Sequence, residues 1–154
     1  MPAHFTPRKL LHHNTPSWVD ESSALFFITI NCAPQGKNQL AESQIAKQIK
    51  DALQYRIDKS QLYPHIFLLM PDHLHSIIGY SATTNSLTKI ISSFKQRLAQ
   101  QNGIQWQKGF FDHRIRNESS YREKFEYILQ NPIRRKLCKE PENWPYKWYA
   151  SDFR

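Results

Sequence analysis

Apolar residues along the chain fall into two kinds of run. "ALFFITIN" (24–31), "YPHIFLLM" (63–70) and "HLHSIIGY" (73–80) are short and nearly continuous, the pattern of strands buried within a sheet. "GFFDHRIR" (109–116) is a fourth strand candidate. Between these runs apolar positions recur at three- and four-residue intervals, as on one face of a helix. Ile45, Ile49, Ala52 and Leu53 do so within 39–57, and Leu87, Ile90, Ile91, Phe94 and Leu98 within 86–101. Tyr121, Phe125, Ile128 and Leu129 do so within 119–131. Ser86 is a capping residue for the second helix and Gly103 lies just past its end. "APQGK" and the dipeptide Pro71-Asp72 read as turns. Pro132 is expected to stop or kink the third helix.

The predicted order is strand, helix, strand, strand, helix, strand, helix. Its first six elements match the split βαβ arrangement of a ferredoxin-like domain. The expected class is therefore α+β, with an antiparallel sheet and an additional C-terminal helix that carries Tyr127. Residues 1–23 are polar, contain Pro2, Pro7 and Pro16, and read as a basic N-terminal arm around "TPRKLLHH". Residues 24–154 read as one domain whose tail, "PENWPYKWYASDF", is aromatic and irregular. A length of 154 residues suits one domain with a real core. This architecture serves many unrelated functions, so the chemistry must come from particular side chains.

Charge narrows the partners. Lys and Arg number 21 against 13 Asp and Glu, a formal charge of +8. An excess of that size suits a polyanion such as nucleic acid. Cys32 and Cys138 form no C-x-x-C pair and read as reduced thiols of a cytoplasmic protein. No apolar run approaches the ~18 residues of a membrane span, and no signal-peptide pattern opens the chain.

One segment stands out chemically. In "MPDHLHSIIGY" (70–80), His73 and His75 are two residues apart in a strand and therefore share a face. Two imidazoles so placed can share a metal ion, although an isolated H-x-H is more often a packed pair. The third ligand is open among His65, Asp72, Asp112, His113 and a residue of the last helix. On that helix, at about 100° per residue, Tyr127 lies roughly 140° from the centre of the apolar stripe. Asn131, four residues on, shares its face. One helix thereby presents a phenol, which can act as a nucleophile, and an amide oxygen, a hard ligand suited to Mg²⁺ or Mn²⁺.

Three stretches, "MPDHLHSIIGY", "GFFDHRIRNESSYREKFEYILQNPIRRKL" and "PENWPYKWYAS", together resemble the REP-associated tyrosine transposases, within the single-tyrosine HUH transposases that act on single-stranded DNA. The resemblance spans roughly residues 24–150 and preserves motif order and spacing. It implies that His73 and His75 are the metal-binding histidine pair, Asn131 the third ligand and Tyr127 the catalytic tyrosine. It further implies a Mg²⁺- or Mn²⁺-dependent transposase and nuclease that cleaves and rejoins single-stranded hairpin DNA of REP type through a 5′-phosphotyrosine intermediate. A monomer is expected rather than the helix-exchanging dimer of relatives in simple insertion sequences. Arg114, Arg116, Arg134, Arg135 and Lys136, with Lys95 and His113, are candidate DNA contacts, because phosphate contacts dominate nucleic-acid affinity. Trp144, Tyr146, Trp148 and Tyr149 are expected to pack onto the domain, with stacking on unpaired bases as the other role open to them.

Two further readings compete. A non-catalytic binder of structured nucleic acid on a ferredoxin-like sheet accounts for the charge and fold, yet has no use for the H-x-H or Tyr127. A two-histidine phosphoesterase needs two H-x-[ST] motifs, and only "HFT" (4–6) fits.

Overall fold

In the computed structural model, which describes residues 24–81 and 85–154, five strands form one antiparallel sheet. The elements follow the chain as β1 (Leu25–Asn31), α1 (Ser43–Asp58), β2 (Leu62–Leu69), β3 (His73–Tyr80), α2 (Leu87–Asn102), β4 (Phe111–Ile115), α3 (Glu118–Arg134) and β5 (Lys147–Tyr149). The strand order is β4-β1-β3-β2-β5. Each of the two crossovers, β1-α1-β2 and β3-α2-β4, leaves one strand between its ends, which is the expected split βαβ pattern. The predicted basic arm, with its "HFT", lies outside the described residues.

The two faces of the sheet are covered by different helices, and the alternation of side chains along each strand assigns residues to them. Ile28 and Ile30 of β1, with Leu74 and Ile78 of β3, pack against Ile49 and Leu53 of α1 and Ile90, Phe94 and Leu98 of α2. Leu25 and Phe27, with Ile66, Leu68 and Ile77, pack against Tyr121 and Ile128 of α3. The cleft described below opens on this second side. Helix α2 begins and ends where the sequence indicates: the Ser86 hydroxyl accepts from the Lys89 N–H at 3.2 Å, and Gly103 closes the helix with φ of +69°. That left-handed conformation is one glycine adopts without strain.

Two boundaries differ from expectation. Helix α1 starts at Ser43, not near Gln39, because the N–H groups of Gln39 and Leu40 are drawn to the Pro71 carbonyl instead. Helix α3 runs through Pro132 for almost another turn. Only one intrahelical bond, to the Ile128 carbonyl, is lost to the missing proline N–H, and the Arg135 N–H already bonds to the Asn131 carbonyl at 3.1 Å. The tail is also more regular than it reads: β5 pairs antiparallel with β2, flanked by 3₁₀ turns at Pro141–Asn143 and Ala150–Asp152. The Trp144 indole donates to the Leu69 carbonyl at 2.9 Å, Trp148 lies against Phe67 and Tyr149 stacks on Phe125. The aromatic tail thus packs onto the domain, as expected. Cys32 and Cys138 are both free thiols.

A candidate catalytic cleft between the sheet and the third helix

β3 carries His73 and His75 on the α3 side of the sheet, and both line a cleft of about 550 Å³. Tyr127 and Asn131 of α3 line the same cleft, with Arg134 and Arg135 beyond them. Thr29 and Asn31 of β1, Asp72, and Gln35 and Gly36 of the β1–α1 loop complete it. The H-x-H spacing and the i, i+4 spacing of Tyr127 and Asn131 therefore converge on one place. The histidines are more deeply set than a solvent-open pair, at 7% and 4% exposed, whereas Tyr127 is 44% exposed.

Each imidazole is oriented by its Nδ1. His73 Nδ1 lies 2.8 Å from Asp72 Oδ1. A carboxylate only accepts, so Nδ1 carries the proton and donates it, leaving Nε2 free for the cleft. His75 Nδ1 lies 2.9 Å from Thr29 Oγ1, directly across the β1–β3 ladder. Burial, together with the charges of His73, Arg134 and Arg135, pushes His75 from its ordinary 6.5 down to about 3. Its imidazole is therefore neutral near pH 7, the state that ligates metal. Asp72 is itself held from two sides. Burial opposes its charge, but the Gly36 N–H, 2.8 Å from Oδ2, and the His73 bond outweigh it and hold the carboxyl below the usual range. Gly36 reaches Asp72 with φ of +88°, a conformation that favours glycine. The Asp72 carbonyl accepts from the Cys32 N–H, which ties the histidine-bearing turn to the end of β1.

Rings enclose His75. Phe27 stacks on it with centroids 5.5 Å apart, Tyr127 meets it edge-on at 5.5 Å and His73 at 4.8 Å. Tyr127 also sets its edge to Phe27 at 5.9 Å. Arg134 fixes the other side of Tyr127. Its guanidinium carbon sits 4.3 Å from the ring centroid, and Nη2 donates to the Tyr127 carbonyl at 3.0 Å. Such a contact both positions the ring and keeps a cation beside it.

The donor set fits a hard divalent ion. His73, His75 and Asn131 all line the cleft, and the Nδ1 contacts of the two imidazoles leave each Nε2 available. Asn131 is 4% exposed, and its side chain makes no hydrogen bond among the described residues. An amide oxygen is a hard donor, and Asn131 is the residue of α3 that could offer one beside the two imidazoles. The remaining candidates are engaged or remote. His65 Nδ1 bonds to the Tyr121 hydroxyl at 2.8 Å inside the core. Asp112 alternates to the opposite face of β4, and His113, opposite Phe27, shares the cleft's face without lining it.

The basic residues divide. Arg134 and Arg135 line the cleft, and the exposed Lys136 follows them at the end of α3. Arg114 pairs with Phe26 and so stands on the α1/α2 face, and Arg116 lies just past the far end of β4. Lys95 clamps a loop: its ammonium donates to the carbonyls of Gln107 and Gly109 at 2.9 and 2.6 Å. Thr29, Phe27 and Gly36 were not identified from the sequence. The polar ending of "LFFITIN", with Thr29 and Asn31 two apart on the face of Phe27, is a signal that could have found the first two; none marks Gly36 as a partner of Asp72.

No protein-family model matches the chain. In sequence it is similar to a REP-associated tyrosine transposase of Escherichia coli (strain K12), 26% identical over 88 residues, which cover 56% of this chain and 53% of that protein. The match thus spans about half the length of that relative. It is 23% identical over 145 residues to a putative REP-associated tyrosine transposase of Haemophilus influenzae, covering 83% of this chain and 81% of the other. In fold it matches a REP-associated tyrosine transposase solved bound to a REP hairpin, with a TM-score of 0.71 and 21% identity over 89% of this chain and 82% of that one. In sequence and in fold, then, the chain is similar to REP-associated tyrosine transposases.

Proposed function

We propose that this protein is a metal-dependent, single-stranded DNA transposase and nuclease that cleaves and rejoins DNA at hairpins through a 5′-phosphotyrosine on Tyr127. The observation that carries this reading is the shared cleft: a half-exposed phenol, two oriented imidazoles, an unengaged amide and two arginines within one cavity. A Mg²⁺ or Mn²⁺ ion held by His73, His75 and Asn131 would supply Lewis-acid charge to the oxygens of the scissile phosphate. The protein's own residues do the rest. Arg134 and Arg135 attract the phosphate, and Arg134 also holds the Tyr127 ring in place. Tyr127 Oη attacks phosphorus, one P–O bond forms as the bond to the 3′-oxygen breaks, and the phenolic proton is lost as the 3′-oxygen gains one. Exchange of one phosphate diester for another requires no nucleotide cofactor, and attack by a 3′-hydroxyl reverses it. The partner DNA would be a REP-like hairpin, the ligand of the structural neighbour.

The test is incubation with end-labelled single-stranded hairpins and Mn²⁺, followed by denaturing electrophoresis. A covalent protein–DNA adduct is expected, absent with Tyr127→Phe and absent in EDTA, with hairpin binding retained by Tyr127→Phe. An adduct formed by the Tyr127→Phe protein would remove Tyr127 from the role of nucleophile.

A further inference from the structure

Phe111 is the most exposed large hydrophobic side chain among the described residues, at 56%. It lies on β4, an edge strand, opposite Thr29 in the β1–β4 register. Residues directly opposite share a face. Phe111 therefore stands on the same side as Thr29, whose hydroxyl orients His75 and lines the cleft. Its ring meets Phe27 edge-on at 6.4 Å, and Phe27 in turn touches both His75 and Tyr127. An unbroken row of rings thus leads from the cleft to an open aromatic face at the sheet edge. Nothing about the core requires it there, because Phe27 is already covered by α3 and Leu25 and Ile115 close the sheet beyond.

Cationic and polar groups border this face. The Lys124 ammonium sits 5.2 Å from the Phe27 ring centroid, and the exposed His113 is two residues along β4 on the same side. A flat apolar surface with a lysine beside the same row of rings fits an unpaired base and its phosphate, whereas a paired duplex offers no free base face. We infer that Phe111 is a stacking platform for an unpaired nucleotide adjoining the phosphate that Tyr127 attacks. The inference rests on the proposed function for the direction of the strand, but its readout is binding alone.

The test uses a Tyr127→Phe background, so that no cleavage intervenes. The probes are a DNA hairpin with unpaired tails on both strands, carrying 2-aminopurine at each tail position in turn, and the same stem blunt-ended. Phe111→Ala should weaken binding of the tailed hairpin by about five- to a hundredfold, the range for loss of one base–aromatic stack, and leave the blunt hairpin unchanged. Phe111→Trp should retain binding, and Phe111→Leu, which keeps apolar bulk without a π-face, should behave like the alanine variant. One tail position should show 2-aminopurine quenching that depends on the aromatic residue. Unchanged affinity of Phe111→Ala for the tailed hairpin, or equal losses on both probes, would overturn the inference. Either outcome leaves the adduct assay with unaltered Phe111 untouched, so the two readings fail separately.

Discussion

Asp72 illustrates how much a single side chain can organise. It bonds to His73 with one oxygen and to the Gly36 N–H with the other, so the His73 imidazole is aimed by a carboxylate that the β1–α1 loop holds still. Carboxylates behind ligating histidines commonly contribute 10–100-fold in metal affinity, by roughly this mechanism. Asp72→Ala should therefore raise the Mn²⁺ dissociation constant by about one to two orders of magnitude, measured by calorimetry. Hairpin binding should change little, since Arg134 and Arg135 remain. The pairing of His73 with His75 and of Tyr127 with Asn131 was legible in spacing alone, because the periods of strand and helix dictate which side chains share a face. The supports of those residues were not. Thr29 reaches His75 only through the β1–β3 register, which depends on contacts between segments 46 residues apart.

Among the secondary-structure elements, the apolar patterns located every helix and four of the five strands. Their ends were decided by competition for backbone partners, as with the N–H groups of Gln39 and Leu40. β5 escaped notice because three residues, Lys147–Tyr149, are too short to show a period of their own; it exists because β2 offers an edge. The strictness of the α2 stripe makes a stability prediction. Phe94 is 1% exposed and sets its edge to Phe67 on the sheet at 6.2 Å. Phe94→Ala should cost about 3–5 kcal/mol, read as a lowered denaturant midpoint. The same substitution tests whether the α2 layer and the cleft are independent: whatever folded protein remains should bind Mn²⁺ as before, since α2 covers the opposite face of the sheet.

For the molecule as a whole, the charge of +8 is not spread evenly with respect to the cleft. Arg134 and Arg135 face it, while Arg114 and Lys95 are turned elsewhere or occupied. Affinity for a single-stranded hairpin should fall steeply with salt, and a fully paired duplex of the same sequence should compete poorly. Replacing Arg134 and Arg135 together by alanine should flatten the logarithmic salt slope by roughly 1.4, two contacts to an unpaired strand. Equal affinity for hairpin and duplex would favour a general basic binder without chemistry.

The contact between Tyr127 and His75 lies within one polypeptide. Complementation follows from that arrangement. A mixture of Tyr127→Phe protein with a His73→Ala, His75→Ala double variant contains every functional group but never on the same molecule. Such a mixture should stay inactive at all ratios, and the adduct-forming rate of the unaltered protein should be first order in its concentration. Recovery of activity on mixing would mean that α3 trades places between two molecules in solution.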